Sequence, residues 1–144
     1  MDSFDYIIVI QCQLAQQRCS GYHCERAFHD RIGGFAGLPK DRTYRTLYTN
    51  CGGCCGKAVQ RKLENLVKKG GRDGVAKDKI LVQLASCITK DNHHSPRCPH
   101  ADFIRELVAR AGLTCREDTK ISATAEARRK DGTYKVTKTV AGSQ

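Results

Sequence analysis

Tyr6-Ile7-Ile8-Val9-Ile10 is an unbroken apolar run, rich in β-branched residues and without alternation. A strand that is apolar on both faces has to be covered on both, as a central strand of a parallel sheet is. That segment alone steers the chain toward a sheet with helices on either side. The following segments keep the same rhythm. Thr43 to Thr49 is rich in β-formers but less apolar, as an outer strand would be, and Lys79 to Ala85 reads as a third strand.

Helical patterns separate and follow these strands. Ser20 can cap a helix whose inward face carries Cys24, Ala27, Phe28 and Arg31, with Gly33-Gly34 as its stop. Val59, Leu63, Leu66 and Val67 form one stripe of a second helix, ended by Gly70-Gly71. Pro99 suits the first position of a third, whose stripe is Phe103, Ile104, Leu107, Val108 and Ala111 before Gly112. The β-α-β-α-β-α order implies right-handed crossovers. The expected fold is a single-domain α/β three-layer sandwich around a mainly parallel sheet, in Rossmann-like or flavodoxin-like order. Asp131-Gly132, between Thr119–Arg129 and Thr133–Val140, predicts a C-terminal β-hairpin, with a helix over Ser122–Lys130 as the competing reading. The chain thus divides into an α/β domain at 1–118 and a hairpin or basic tail at 119–144.

At 144 residues the chain has enough surface to bury for a core that needs no disulfide or metal. No apolar run near the start approaches the roughly 20 residues of a membrane helix. The acidic opening Met1-Asp2-Ser3-Phe4-Asp5 is unlike a secretory signal, which begins with positive charge. A cytoplasmic, reducing location is therefore expected. There, cysteines serve more often as ligands or catalysts than as disulfides, and an odd count of nine cannot fully pair within one chain.

The cysteines are not scattered. Cys12, Cys51 and Cys87 each follow a predicted strand, and parallel strands end on the same edge. That carboxyl edge is where open α/β sheets place ligands. The loops that follow add Cys19 and Cys24, then Cys54 and Cys55, then His93, His94, Cys98 and His100. Cys51-Gly52-Gly53-Cys54 has the gap that lets two sulfurs share one metal, and its glycines let the backbone wrap tightly and turn N–H groups toward sulfur. The expected metal ligands are Cys12, Cys19, Cys51, Cys54, Cys55, Cys87, Cys98, His94 and His100. Cys24 suits core packing as well as ligation, and Cys115 reads as inert.

A strand ending in Cys12, the central Cys51-Gly52-Gly53-Cys54, a strand running to Ser86-Cys87, and Cys98-Pro99 before a helix resemble the CGGC domain, a small prokaryotic family. The resemblance spans about Tyr6 to Gly112, and Cys55 is an extra thiol directly after the motif. The resemblance implies a metal-binding domain, with zinc suggested by the Cys and His content and no established reaction.

Three functional classes compete. The leading one is a protein that holds zinc or an iron–sulfur cluster in a structural, carrier or electron-transfer role, the last with a redox protein partner. The second is a thiol-disulfide oxidoreductase built on Cys51-Gly52-Gly53-Cys54, although none of the prolines is placed to face such a dithiol. The third is a nucleic-acid or protein adaptor, suggested by the net charge of +10. The basic clusters carry no nucleic-acid motif and few aromatics for stacking, so nucleic acid ranks last. Cys12-Gln13-Leu14-Ala15 also lacks the glycines of a dinucleotide-binding turn. A zinc held by four thiolates carries a net −2, which would lower +10 to about +8 and accounts for part of the basic excess.

Overall fold

The apolar run near the start becomes β1 (Tyr6–Gln11), a central strand flanked by β2 (Arg45–Asn50) and β3 (Ile80–Leu84). The computed structural model describes residues 3–92, 97–121 and 123–124. Within them the sheet has four strands in the order β2-β1-β3-β4, where β4 is Thr114–Glu117. Every pairing is parallel, so the sheet is parallel throughout and not merely in the main. The sequence 2-1-3-4 is how the flavodoxin-like doubly wound order begins.

Side chains alternate along each strand, so the two faces of the sheet make two cores. Ile8, Ile10, Ile80, Val82 and Leu84 face one side and pack with Val59 and Leu63 of α3 (Ala58–Arg72) and Ile104, Leu107 and Val108 of α5 (Ala101–Arg110). Ile7, Val9 and Leu81 face the other, with Cys24 and Ala27 of α2 (Tyr22–Asp30), Phe35 and Leu38. Leu63 is completely enclosed in the first core. Leu63→Ala is expected to destabilise the protein by about 3 kcal/mol, the middle of the range for buried leucine truncations. A shift in the urea unfolding midpoint checks it.

Two short helices fill the loops after β1 and β3: α1 (Gln13–Gln16) and α4 (Ser86–Thr89). Sequence periodicity cannot find them, because one turn of helix has no period to detect. The strand β4 was also not expected. It is short and polar, and it holds its place by pairing with Leu81–Leu84 on the sheet edge.

Several boundaries move. Pro99 does not open α5: Cys98, Pro99 and His100 form the preceding turn, and the helix starts at Ala101. α3 runs through Gly70-Gly71 to Arg72, because the chain reverses only at Gly74, whose φ is +89°. The cap of α2 is Gly21, although the Ser20 hydroxyl still accepts the Tyr22 N–H at 3.3 Å. Arg31 lies beyond the end of α2 and not on its inner face, where it donates to the carbonyls of Phe28, Pro39 and Arg42. Of the expected C-terminal hairpin, residues 119–121 form no strand and residues 123–124 are helical, as in the competing reading, while Asp131-Gly132 lies outside the described residues. Among the described residues, no helix is long and apolar enough to cross a membrane.

Candidate metal centre

The parallel register places the thiols. Gln11 pairs with Asn50, so the next residues, Cys12 and Cys51, emerge side by side from β1 and β2. On the other flank Ile10 pairs with Leu84, and the chain continues through Ala85 into α4, which carries Cys87. Cys87 is therefore in the first turn of a helix and not at the strand end itself. The Cys12 thiol donates to Cys51 Sγ. The backbone N–H of Cys12 donates to Cys87 Sγ at 3.0 Å, and that of Gln13 to Cys51 Sγ at 3.4 Å. Three cysteines that follow β1, β2 and β3 are thus tied into one cluster with Cys12 in the middle.

Cys98 joins from the far side. Its N–H donates to the Ile88 carbonyl at 2.8 Å, which returns the chain to the end of α4, and its sulfur accepts the His100 N–H at 3.4 Å. Its thiol is electrostatically coupled to Cys54 and Cys51. Cys54 and Cys55 sit exposed in the turn after β2, and His100 is half-buried. Cys19 is exposed, its sulfur accepting the Gly21 N–H at 3.4 Å. His94 lies outside the described residues. Cys24 is buried in the second core with its sulfur 3.2 Å from Thr119 Oγ1, and Cys115 sits on β4. All nine cysteines are free.

In Cys51-Gly52-Gly53-Cys54 both glycines take positive φ, +77° and +102°, which side chains resist. The tight wrap turns the Gly53 N–H onto Cys51 Sγ. A polar brace unmarked by any sequence motif secures this turn. Asn50 Oδ1 accepts the Gly52 N–H at 2.8 Å and Lys62 Nζ at 3.1 Å, while Asn50 Nδ2 donates to Gln16 Oε1 at 2.7 Å. Gln16 in turn donates to the buried Gln11 side chain at 2.5 Å. The available signal was three amides at the polar ends of apolar elements.

The thiols are not equivalent. The S–H of Cys12, helped by the Gln13 and Gly53 amides, holds Cys51 down to about 5 against the opposing effect of burial. Donating that proton, and being buried, pushes Cys12 far up. Burial pushes Cys87 up to about 12, with the Cys12 N–H working against it. Burial also raises Cys98.

A pH dependence follows. Between about 5 and the ordinary thiol value of 9.0, the unfolded chain holds a proton on Cys51 that the native state lacks. Stability from this group therefore rises with pH across that window, and is lost as pH falls through 5. Cys12 and Cys87, with raised values, act oppositely above 9. In metal-free protein, the gap in urea midpoint between wild type and Cys51→Ala should widen from pH 5 to 9.

Among the described residues, no three His, Cys, Asp or Glu side chains stand in position to hold one metal ion together. The donor chemistry nonetheless fits a thiophilic metal: adjacent sulfurs, one of them ionised, with N–H groups directed at each.

A doubly wound α/β domain with a cysteine cluster at the carboxyl edge of its parallel sheet is the class that fold and site define. Residues 6–120 match the model of the CGGC domain, and the chain belongs to that family, a cysteine-rich one regarded as metal-binding. No curated protein and no solved structure matches the chain.

Proposed function

We propose that the protein holds a soft metal centre, zinc or an iron–sulfur cluster, through Cys12, Cys51 and Cys87, with Cys98 as the fourth ligand. The observation that carries this reading is the bonding of Cys12 to both Cys51 and Cys87, which gathers thiols from the segments that follow three different strands. The proton shared between Cys12 and Cys51 stands where two thiolates would otherwise repel. A cation can replace that proton, and Cys51 is already ionised near neutral pH. Such a centre would supply a rigid clamp across the sheet edge if it is zinc, and electron transfer if it is an iron–sulfur cluster. Cys54, Cys55, Cys19 and His100 then serve as outer groups around the centre, and His94 lies outside the described residues. Free thiols suit a reducing, cytoplasmic location.

Native mass spectrometry with elemental analysis on protein purified without oxygen tests the proposal. Colourless protein with one zinc per chain selects zinc, and brown protein with iron and sulfide selects a cluster. Protein that takes up neither overturns the reading.

A further inference from the structure

We propose that Cys12 and Cys51 are also a redox pair, joined by peroxide into an intramolecular disulfide that a thiol reductant reopens. The proposal goes beyond metal binding and concerns the metal-free chain, in which both thiols are unligated. Their placement carries it. The two residues follow the paired Gln11 and Asn50 on adjacent parallel strands. Neighbouring strands run about 4.8 Å apart, and disulfides span Cα separations of about 4.4–6.8 Å. The Cys12 S–H already meets Cys51 Sγ. Cys87 is set apart, because its sulfur is held by the Cys12 backbone at 3.0 Å and its Cα belongs to α4.

Access selects the oxidant. Cys12 is 5 % and Cys51 7 % exposed, too little for a bulky disulfide such as that of glutathione. Cys51 keeps this small exposure beside the exposed Gly52 and Cys54, so the oxidant that suits it is as small as hydrogen peroxide. The Cys51 thiolate attacks one peroxide oxygen, the O–O bond breaks, and the hydroxide that leaves takes a proton from solvent to become water, giving a sulfenic acid on Cys51. Cys12 Sγ then attacks the Cys51 sulfur. The S–O bond breaks, the hydroxide takes the Cys12 proton, and a second water leaves. The two sulfurs lose two electrons to the peroxide, and one proton from Cys12 and one from solvent complete the two waters.

The test uses the full metal-free chain. It is treated with hydrogen peroxide, alkylated, digested with trypsin and mapped by fragment-ion mass spectrometry. The expected product links peptide 1–18, whose one cysteine is Cys12, to peptide 46–57 through Cys51. Dithiothreitol should restore both thiols. Cys12→Ser should leave a sulfenic acid on Cys51 that a cyclic 1,3-diketone traps when added together with denaturant, while the wild-type map decides the matter even if this variant folds poorly. A link confined to Cys51, Cys54 and Cys55 overturns the proposal, as does one that uses Cys87. Oxidation of Cys54 and Cys55 with Cys12 and Cys51 both untouched also overturns it. The two readings separate cleanly. A Cys12–Cys51 link in a protein that never binds metal removes only the metal centre, and a metal-binding protein that forms no such link removes only the redox pair.

Discussion

Cys51→Ser is expected to weaken zinc binding at least about a hundredfold, measured by competition with a chromophoric chelator. Structural zinc sites in small peptides bind with about 10–16 kcal/mol, so each of four ligands carries roughly 3 kcal/mol, or about two decades in affinity. Cys51 is the ligand whose loss should hurt most. It is the thiol already ionised near neutral pH, held so by the Cys12 S–H and the amides of Gln13 and Gly53. A serine oxygen at that place would be protonated, harder and a poorer match to zinc. The substitution also leaves Cys12 without its sulfur acceptor. Cys115→Ser serves as the control, since Cys115 lies on β4 away from the cluster and should leave affinity unchanged. Unchanged affinity in Cys51→Ser would remove Cys51 from the ligand set.

Gly34→Ala should destabilise the fold by about 3 kcal/mol, the upper end for forced overpacking. Gly34 stands where the loop after α2 meets the chain leaving β4. Its N–H donates to the Thr119 carbonyl at 2.9 Å and its carbonyl accepts Gln83 Nε2 at 3.1 Å. A Cβ there would lie 1.8 Å from the Asp118 carbonyl oxygen and 2.8 Å from Gln83 Nε2. Gln83 is buried in β3 and also donates to the carbonyls of Glu117 and Asp118, so it has no room to retreat. The neighbouring Phe35 is fully enclosed and anchors the loop from the other side. Gly37→Ala is the matched control, because nothing lies within 4 Å of its Cβ position. Urea unfolding of the two variants checks the difference, and a loss below about 1 kcal/mol in Gly34→Ala would show that the loop shifts freely.

Strong local patterns are legible in the sequence. The run at Tyr6–Ile10 declared a central strand, and the stripe of Val59 and Leu63 declared α3, because burial imposes a period on sequence. The convergence of Cys12, Cys51 and Cys87 was also legible, since parallel strands share an edge. The partner of Cys51 was not. Spacing within the chain favours Cys54, two glycines away, whereas the thiol that reaches Cys51 is Cys12, brought there by register alone. The position of Cys87 inside α4 was hidden because a four-residue helix leaves no periodic trace. The brace of Gln11, Gln16, Asn50 and Lys62 was invisible for a similar reason: each residue is ordinary, and only their spatial meeting gives them a task. β4 escaped because Thr114-Cys115-Arg116-Glu117 is polar and is made a strand by its neighbour β3.

X-ray absorption at the zinc edge of reconstituted protein tests the central claim most directly. Sulfur atoms at about 2.3 Å, four in wild type and three in Cys51→Ser, are the expected result. A shell of nitrogen and oxygen at about 2.0–2.1 Å, unchanged by the substitution, would contradict a thiolate centre at the edge of the sheet.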